Sequence, residues 1–162
     1  MPEANPKPIQ GLGKSVLIGG GASGILSIFP GLNLLNLFFM TWIVLGAGLT
    51  VHLLYRQNPS LGRGDALLAG ALSGLAGGGV FSLVGIVTMI GMTQEKLDAM
   101  VESARALAPF LADGQAEAMA SGPFKAMMVI AIGLFLLLAI VAGAIAGLAA
   151  RRILRPAGSE RR

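Results

Sequence analysis

The chain has one histidine, His52, and no cysteine. Thiolate metal sites, disulfides and cysteine nucleophiles are therefore excluded. A lone imidazole needs other strong ligands to hold a metal, and the only nearby candidate is Asp65. His52 stands one helical turn before Arg56, where an interfacial hydrogen bond is its simplest role. Ser23, Ser27, Ser73, Ser82 and Thr88 carry hydroxyls, but no His/Asp pair is set beside them to activate a nucleophile. Inside helices such hydroxyls bond back to their own carbonyls. Gly11-Leu12-Gly13-Lys14-Ser15 ends like a phosphate-binding loop. The pattern also needs a glycine at position 8, which is Pro8, and a preceding strand. No dinucleotide fingerprint is present. These residues predict a non-enzyme with no cofactor and no metal.

What positions these few groups is a very apolar chain. Of 162 residues, 54% are hydrophobic, 24 are glycine and only 12% are charged. A soluble domain of this size needs more polar surface than that. Disorder is excluded because it requires low hydrophobicity. The expected class is an all-α integral membrane protein.

Uncharged stretches mark the spans. Residues 15–55 lie between Lys14 and Arg56 and would run about 61 Å as helix, twice a bilayer core of about 30 Å. Pro30-Gly31-Leu32-Asn33 supplies the turn that divides them. Helices are expected at about 15–29, 34–55, 66–91 and 124–150, forming a four-helix bundle of two tandem hairpins. The first is short and spans only part of the depth unless it is kinked. A single transmembrane domain, 15–155, would sit between an N-terminal tail, 1–14, and a basic tail, 156–162. The first helix has no small-residue cleavage site after it and reads as uncleaved.

Lys and Arg placement sets the orientation. With the N-terminus inside, nine of the twelve basic residues fall on inner segments; Lys96, Arg105 and Lys125 fall outside with five acids. Both termini are expected in the cytoplasm, on the inner side of the cell's cytoplasmic (inner) membrane. This distribution accounts for the net charge of +4 without a nucleic-acid partner. The C-terminal arginines also suit anionic lipid headgroups.

Glycines recur at four-residue spacing: Gly20 and Gly24, then Gly70, Gly74 and Gly78, then Gly143 and Gly147. Small residues on one face let helix backbones approach closely, so van der Waals contact replaces the missing hydrophobic drive. Intramolecular packing is the plain expectation, and a homo-oligomer or partner-subunit face the sharper one. The triplets Gly19-Gly20-Gly21 and Gly77-Gly78-Gly79 also admit local unwinding at a substrate site. Residues 17–25 match 67–75 at four of nine positions, which suggests a parallel repeat of two hairpins.

Residues 93–123 form the one sizeable loop. Thr93 is a good N-cap with Glu95 in the first turn. Leu97, Met100, Val101, Leu107 and Phe110 then recur at helical spacing. An extracytoplasmic amphipathic helix over about 93–111 is expected, resting on the bundle or the interface, or offering a partner face.

The stretch Leu17-Ile18-Gly19-Gly20-Gly21-Ala22-Ser23-Gly24, the segment Gly62-Arg63-Gly64-Asp65-Ala66-Leu67 and the long amphipathic loop give the chain a likeness to known proteins. It resembles a bacterial group of small four-helix membrane proteins classed as domains of unknown function. That resemblance implies no catalytic residues. The expected function is a structural or accessory subunit, or an assembly factor, of a membrane complex. The alternative is an oligomeric transporter or channel for a small solute or lipid, built on the Gly-rich helices 1 and 3.

Overall fold

The computed structural model describes residues 9–28, 40–91, 93, 95, 96, 99, 102 and 123–154. Among them are four helices and no strand: α1 (Leu12–Ile28), α2 (Thr41–Gln57), α3 (Arg63–Ile90) and α4 (Pro123–Leu154). The turn at Pro30–Asn33 lies outside the described residues. So do Leu97, Met100, Val101, Leu107 and Phe110, and the tails 1–8 and 155–162.

The helix ends follow local chemistry. Gly11 takes φ 75°, the left-handed region that glycine tolerates, and its carbonyl accepts the first bond of α1 from Ser15 N–H at 3.0 Å. Lys14 is thus inside α1 rather than in a tail. At the start of α3 the Asp65 carboxylate accepts the Gly62 N–H at 3.0 Å, half of a capping box. This cap starts the helix at Arg63, three residues before the expected 66. Asn58 ends α2, its N–H and its side-chain amide both donating to the Leu54 carbonyl, and Pro59 follows. Pro123 opens α4 at the first helical position, which needs no N–H donor.

Two boundaries differ in a way that matters. Residues 34–39 of the expected second helix lie outside the described residues, and α2 begins at Thr41, after Met40 at φ 46°, ψ 36°. A left-handed residue cannot continue a right-handed ladder. At the other end α4 runs on to Leu154 instead of stopping at 150, which brings Arg151 and Arg152 into the helix.

Internal packing divides the chain into two compact units, Met1–Phe81 with Leu136–Arg162, and Ser82–Phe135. In the first unit the inward faces of the helices are small or polar. Gly19, Gly20, Ser23 and Gly24 of α1, Gly46, Ala47 and Thr50 of α2, and Ala69, Gly70, Ser73 and Gly74 of α3 are buried. At one end Val51 and Leu54 meet Leu61, Ala66 and Ala69, flanked by Ile9, Leu12, Tyr55, Ala150 and Leu154; Ile43, also buried, lies near the start of α2. The outward faces carry Leu17, Ile18, Ile25, Leu45, Leu67, Leu75, Leu137, Val141 and Ile145, all exposed. In the second unit Gly85 and Ile132 are neighbours; a methyl group on Gly85 would stand 3.6 Å from Ile132 Cδ1. Two helices, Arg63–Thr88 and Val129–Leu154, are long and apolar enough to cross a membrane.

Candidate functional site

The most organised part of the first unit is a seam where α1, α2 and α3 meet. It is built by removing side chains. A Cβ on Gly46 would stand 2.5 Å from the Gly19 carbonyl oxygen and 2.6 Å from Ser23 Cβ. A Cβ on Gly19 would collide with Gly46 O and Thr50 Oγ1. On the other side of α1, a Cβ on Gly20 would meet Ser73 O at 2.7 Å and Ala76 Cβ at 2.8 Å, and one on Gly24 would meet Val80 Cβ at 2.8 Å. Ser23 is thus held between Gly46 of α2 and Gly77 of α3, each of which has no room for a methyl group.

Hydroxyls line this seam. Thr50, fully buried, has its Oγ1 3.0 Å from Gly46 O, 3.2 Å from Ser15 O and 3.0 Å from Ser73 Oγ. One proton serves these contacts, so Thr50 donates to one oxygen at a time. The cluster joins all three helices, since Ser15 is on α1 and Ser73 on α3. Ser23 Oγ donates to Gly20 O at 2.8 Å and Ser27 Oγ to Ser23 O at 2.7 Å. Placing these groups against carbonyls removes most of the cost of burying them. In the second unit the buried Ser82 hydroxyl has no hydrogen-bond partner among the described residues.

A second seam joins α3 to α4. A Cβ on Gly70 would collide with the Gly143 carbonyl, one on Gly74 with the Ala139 carbonyl, and one on Gly147 with the Ala66 carbonyl. A Cβ on Gly78 would meet Ala139 Cβ at 2.8 Å. Each glycine of the sequence-derived rows therefore lies in an intramolecular contact. The α3 and α4 rows face each other, Gly70 and Gly74 against Gly143 and Gly147, whereas Gly20 and Gly24 of α1 meet a different face of α3, at Ser73, Ala76, Gly77 and Val80. Residues related by the 50-residue repeat, Gly20 and Gly70, accordingly have different partners.

Sequence reasoning missed Gly19, Gly46, Gly77 and Thr50. Gly19 and Gly77 read as members of triplets, not as contact residues, and Gly46 and Thr50 as residues with no contact role. Their use depends on which helix lies opposite, which spacing does not encode. Arg151, one of the basic residues on the inner side, has a role that the charge count does not show. It is buried, 6% exposed, and its Nε donates to the Leu61 carbonyl at 2.7 Å. This bond ties the end of α4 to the turn between α2 and α3, whose Leu61 N–H donates to Asn58 O at 3.0 Å.

The groups with chemical potential are dispersed. His52 is exposed on α2. The Asp65 carboxylate is engaged with the Gly62 N–H. Among the described residues no three His, Asp or Glu side chains come together in a way that would hold a metal ion. What the arrangement can do is hold helices at backbone contact. Comparison with protein-family models, with curated proteins and with solved structures finds no match for this chain.

Proposed function

We propose that the protein is an integral membrane protein of non-enzymatic function, a structural or accessory subunit or an assembly factor of a membrane complex. The carrying observation is the inverted sorting of the first unit. Glycine, alanine, serine and threonine make up most of its interior, with Ile43, Val51, Leu54 and Leu61 the larger buried side chains, while Leu137, 58% exposed, Ile145, 63% exposed, and their neighbours face outward. In water this arrangement forfeits about 25 cal/mol for every Å² of apolar surface left exposed. In hydrocarbon it is the expected one: lipid tails accept aliphatic side chains, and small residues let helices associate. The inner-membrane location and the cytoplasmic termini follow the basic-residue asymmetry described above.

The accessory role is favoured over the oligomeric channel by what the glycines do. Gly20, Gly24, Gly70, Gly74 and Gly78 are occupied within the chain, so helices 1 and 3 do not offer those rows to a second copy. Two experiments in native membranes test the reading. Alkaline carbonate should leave the protein in the membrane pellet. Extraction in a mild detergent should bring down a defined membrane-protein partner. Release by carbonate removes the membrane reading. Solute flux through vesicles containing this chain alone would replace the accessory role with the channel.

A further inference from the structure

Each helix contributes one exposed cation at the same end of the first unit. Lys14 lies in the first turn of α1, Arg56 in the last turn of α2, Arg63 at the start of α3 and Arg152 in the last turn of α4; all four are exposed. Two hydrogen bonds and one short turn bring these ends together. The Asn58 amide donates to the Gln10 carbonyl at 3.1 Å, joining the end of α2 to the start of α1. Residues 58–62 connect α2 directly to α3. Arg151 secures α4 to Leu61. The one acidic side chain at this end among the described residues, Asp65, is turned to the Gly62 N–H as a helix cap.

Below this collar the surface changes character. Leu17 follows Lys14 by three residues, Leu67 follows Arg63 by four, and Leu148 precedes Arg152 by four; each leucine is exposed. At 1.5 Å per residue the step from cation to aliphatic is about 4.5–6 Å along the helix. On α2 the exposed aliphatic, Leu49, is two turns from Arg56. Ile153 is exposed at the level of the collar itself.

We propose that this collar binds the headgroups of anionic phospholipids, the acyl chains lying against the aliphatic belt beneath it. The juxtaposition selects the ligand. A nucleic acid or an acidic protein would be recognised by the cations alone and has no use for a belt of leucines one turn away. A phospholipid monolayer presents phosphate and hydrocarbon at that separation, and long basic side chains reach the phosphates while their stems lie on apolar surface. This inference rests on the membrane reading above.

The test uses the full chain, delipidated in a neutral detergent and titrated with phosphatidylglycerol or phosphatidylcholine, with bound lipid read by native mass spectrometry. Wild type should bind phosphatidylglycerol at least roughly tenfold more tightly, since each basic residue near an anionic surface contributes about fivefold in affinity. The preference should shrink as salt is raised. Replacing Lys14, Arg56, Arg63 and Arg152 by Gln should abolish it with an unchanged circular-dichroism melt, whereas replacing all four by Lys or Arg of the other type should retain it. Lys96→Gln with Arg105→Gln, remote in sequence, should leave it intact. Equal binding of the two lipids by wild type, or a preference that survives the fourfold Gln change, overturns the proposal. So does saturation by inorganic phosphate at the affinity of the lipid, which would make the ligand a free anion. Failure here leaves resistance to carbonate untouched, so the collar and the membrane reading fail separately.

Discussion

On α1, a methyl group added to Gly20 would stand 2.7 Å from the Ser73 carbonyl oxygen, while one added to Gly21 would have no described atom within 4 Å. The same division splits the second triplet, where Gly77 and Gly78 are in tight contact and Gly79 is open. Gly48 of α2 and Gly133 of α4 are likewise open. One residue type thus serves two faces with opposite energetic consequences. Inward, the missing side chain is what allows carbonyls and Cα atoms of neighbouring helices to touch. Outward, it weakens the helix by about 1 kcal/mol relative to alanine and gains no contact among the described residues.

Substitution should expose this difference, most of all at the α3–α4 seam. Gly74→Leu places its first carbon on the Ala139 carbonyl, and backbone cannot step aside as a side chain can. The expected loss is at or above the upper end of the about 1–3 kcal/mol typical of overpacking. Chemical unfolding in detergent, followed by circular dichroism, should show it; wild-type stability would mean that α3 and α4 are not in contact there. Next is Arg151→Met, which keeps the length of the side chain and removes the donor to Leu61. A hydrogen bond from a charged group is worth about 1.5–3 kcal/mol. Hydrogen exchange should accelerate around residues 58–62, and an unchanged profile would deny that Arg151 holds this turn.

Thr50→Val probes the hydroxyl cluster at nearly constant shape. It removes one partner from Ser73 and should cost about 1 kcal/mol, measured in the same unfolding assay. Thr50→Val with Ser73→Ala should cost less than the two changes added separately, because they share a bond. The smallest effect has the opposite sign. Gly21→Ala fills open space on the outward face and should stabilise by roughly 0.5–1 kcal/mol, whereas Gly20→Ala should destabilise. Equal effects at these adjacent positions would erase the distinction between the two faces.

The helices themselves were legible because charge is nearly absent between Lys14 and Arg56, after Asp65 and after Lys125, and an uncharged run of that length has few alternatives. The glycine rows were legible as faces. Their partners were not, since a four-residue period marks one side of a helix without saying what lies opposite. Gly19 and Gly46 acquire a role only when α1 and α2 are laid together. Met40 gave no warning: Phe38-Phe39-Met40-Thr41 contains neither proline nor glycine, yet its left-handed backbone starts α2 at Thr41. Arg151 misled for a chemical reason. Arginine at the end of a hydrophobic run is normally solvated, whereas here the Leu61 carbonyl accepts its Nε–H at 2.7 Å and offsets its burial.

The central claim is that most large aliphatic side chains of the first unit, Leu137 and Ile145 among them, face lipid while its small and hydroxyl-bearing residues face inward. Because the chain has no cysteine, a single substitution introduces the only thiol. Spin labels at Leu137→Cys and Ile145→Cys, in protein reconstituted into phospholipid vesicles, can be compared for collision with oxygen, which concentrates in hydrocarbon, and with a water-soluble nickel chelate. Oxygen should dominate at both positions. Dominance of the nickel chelate at both would place these faces in water and contradict the account.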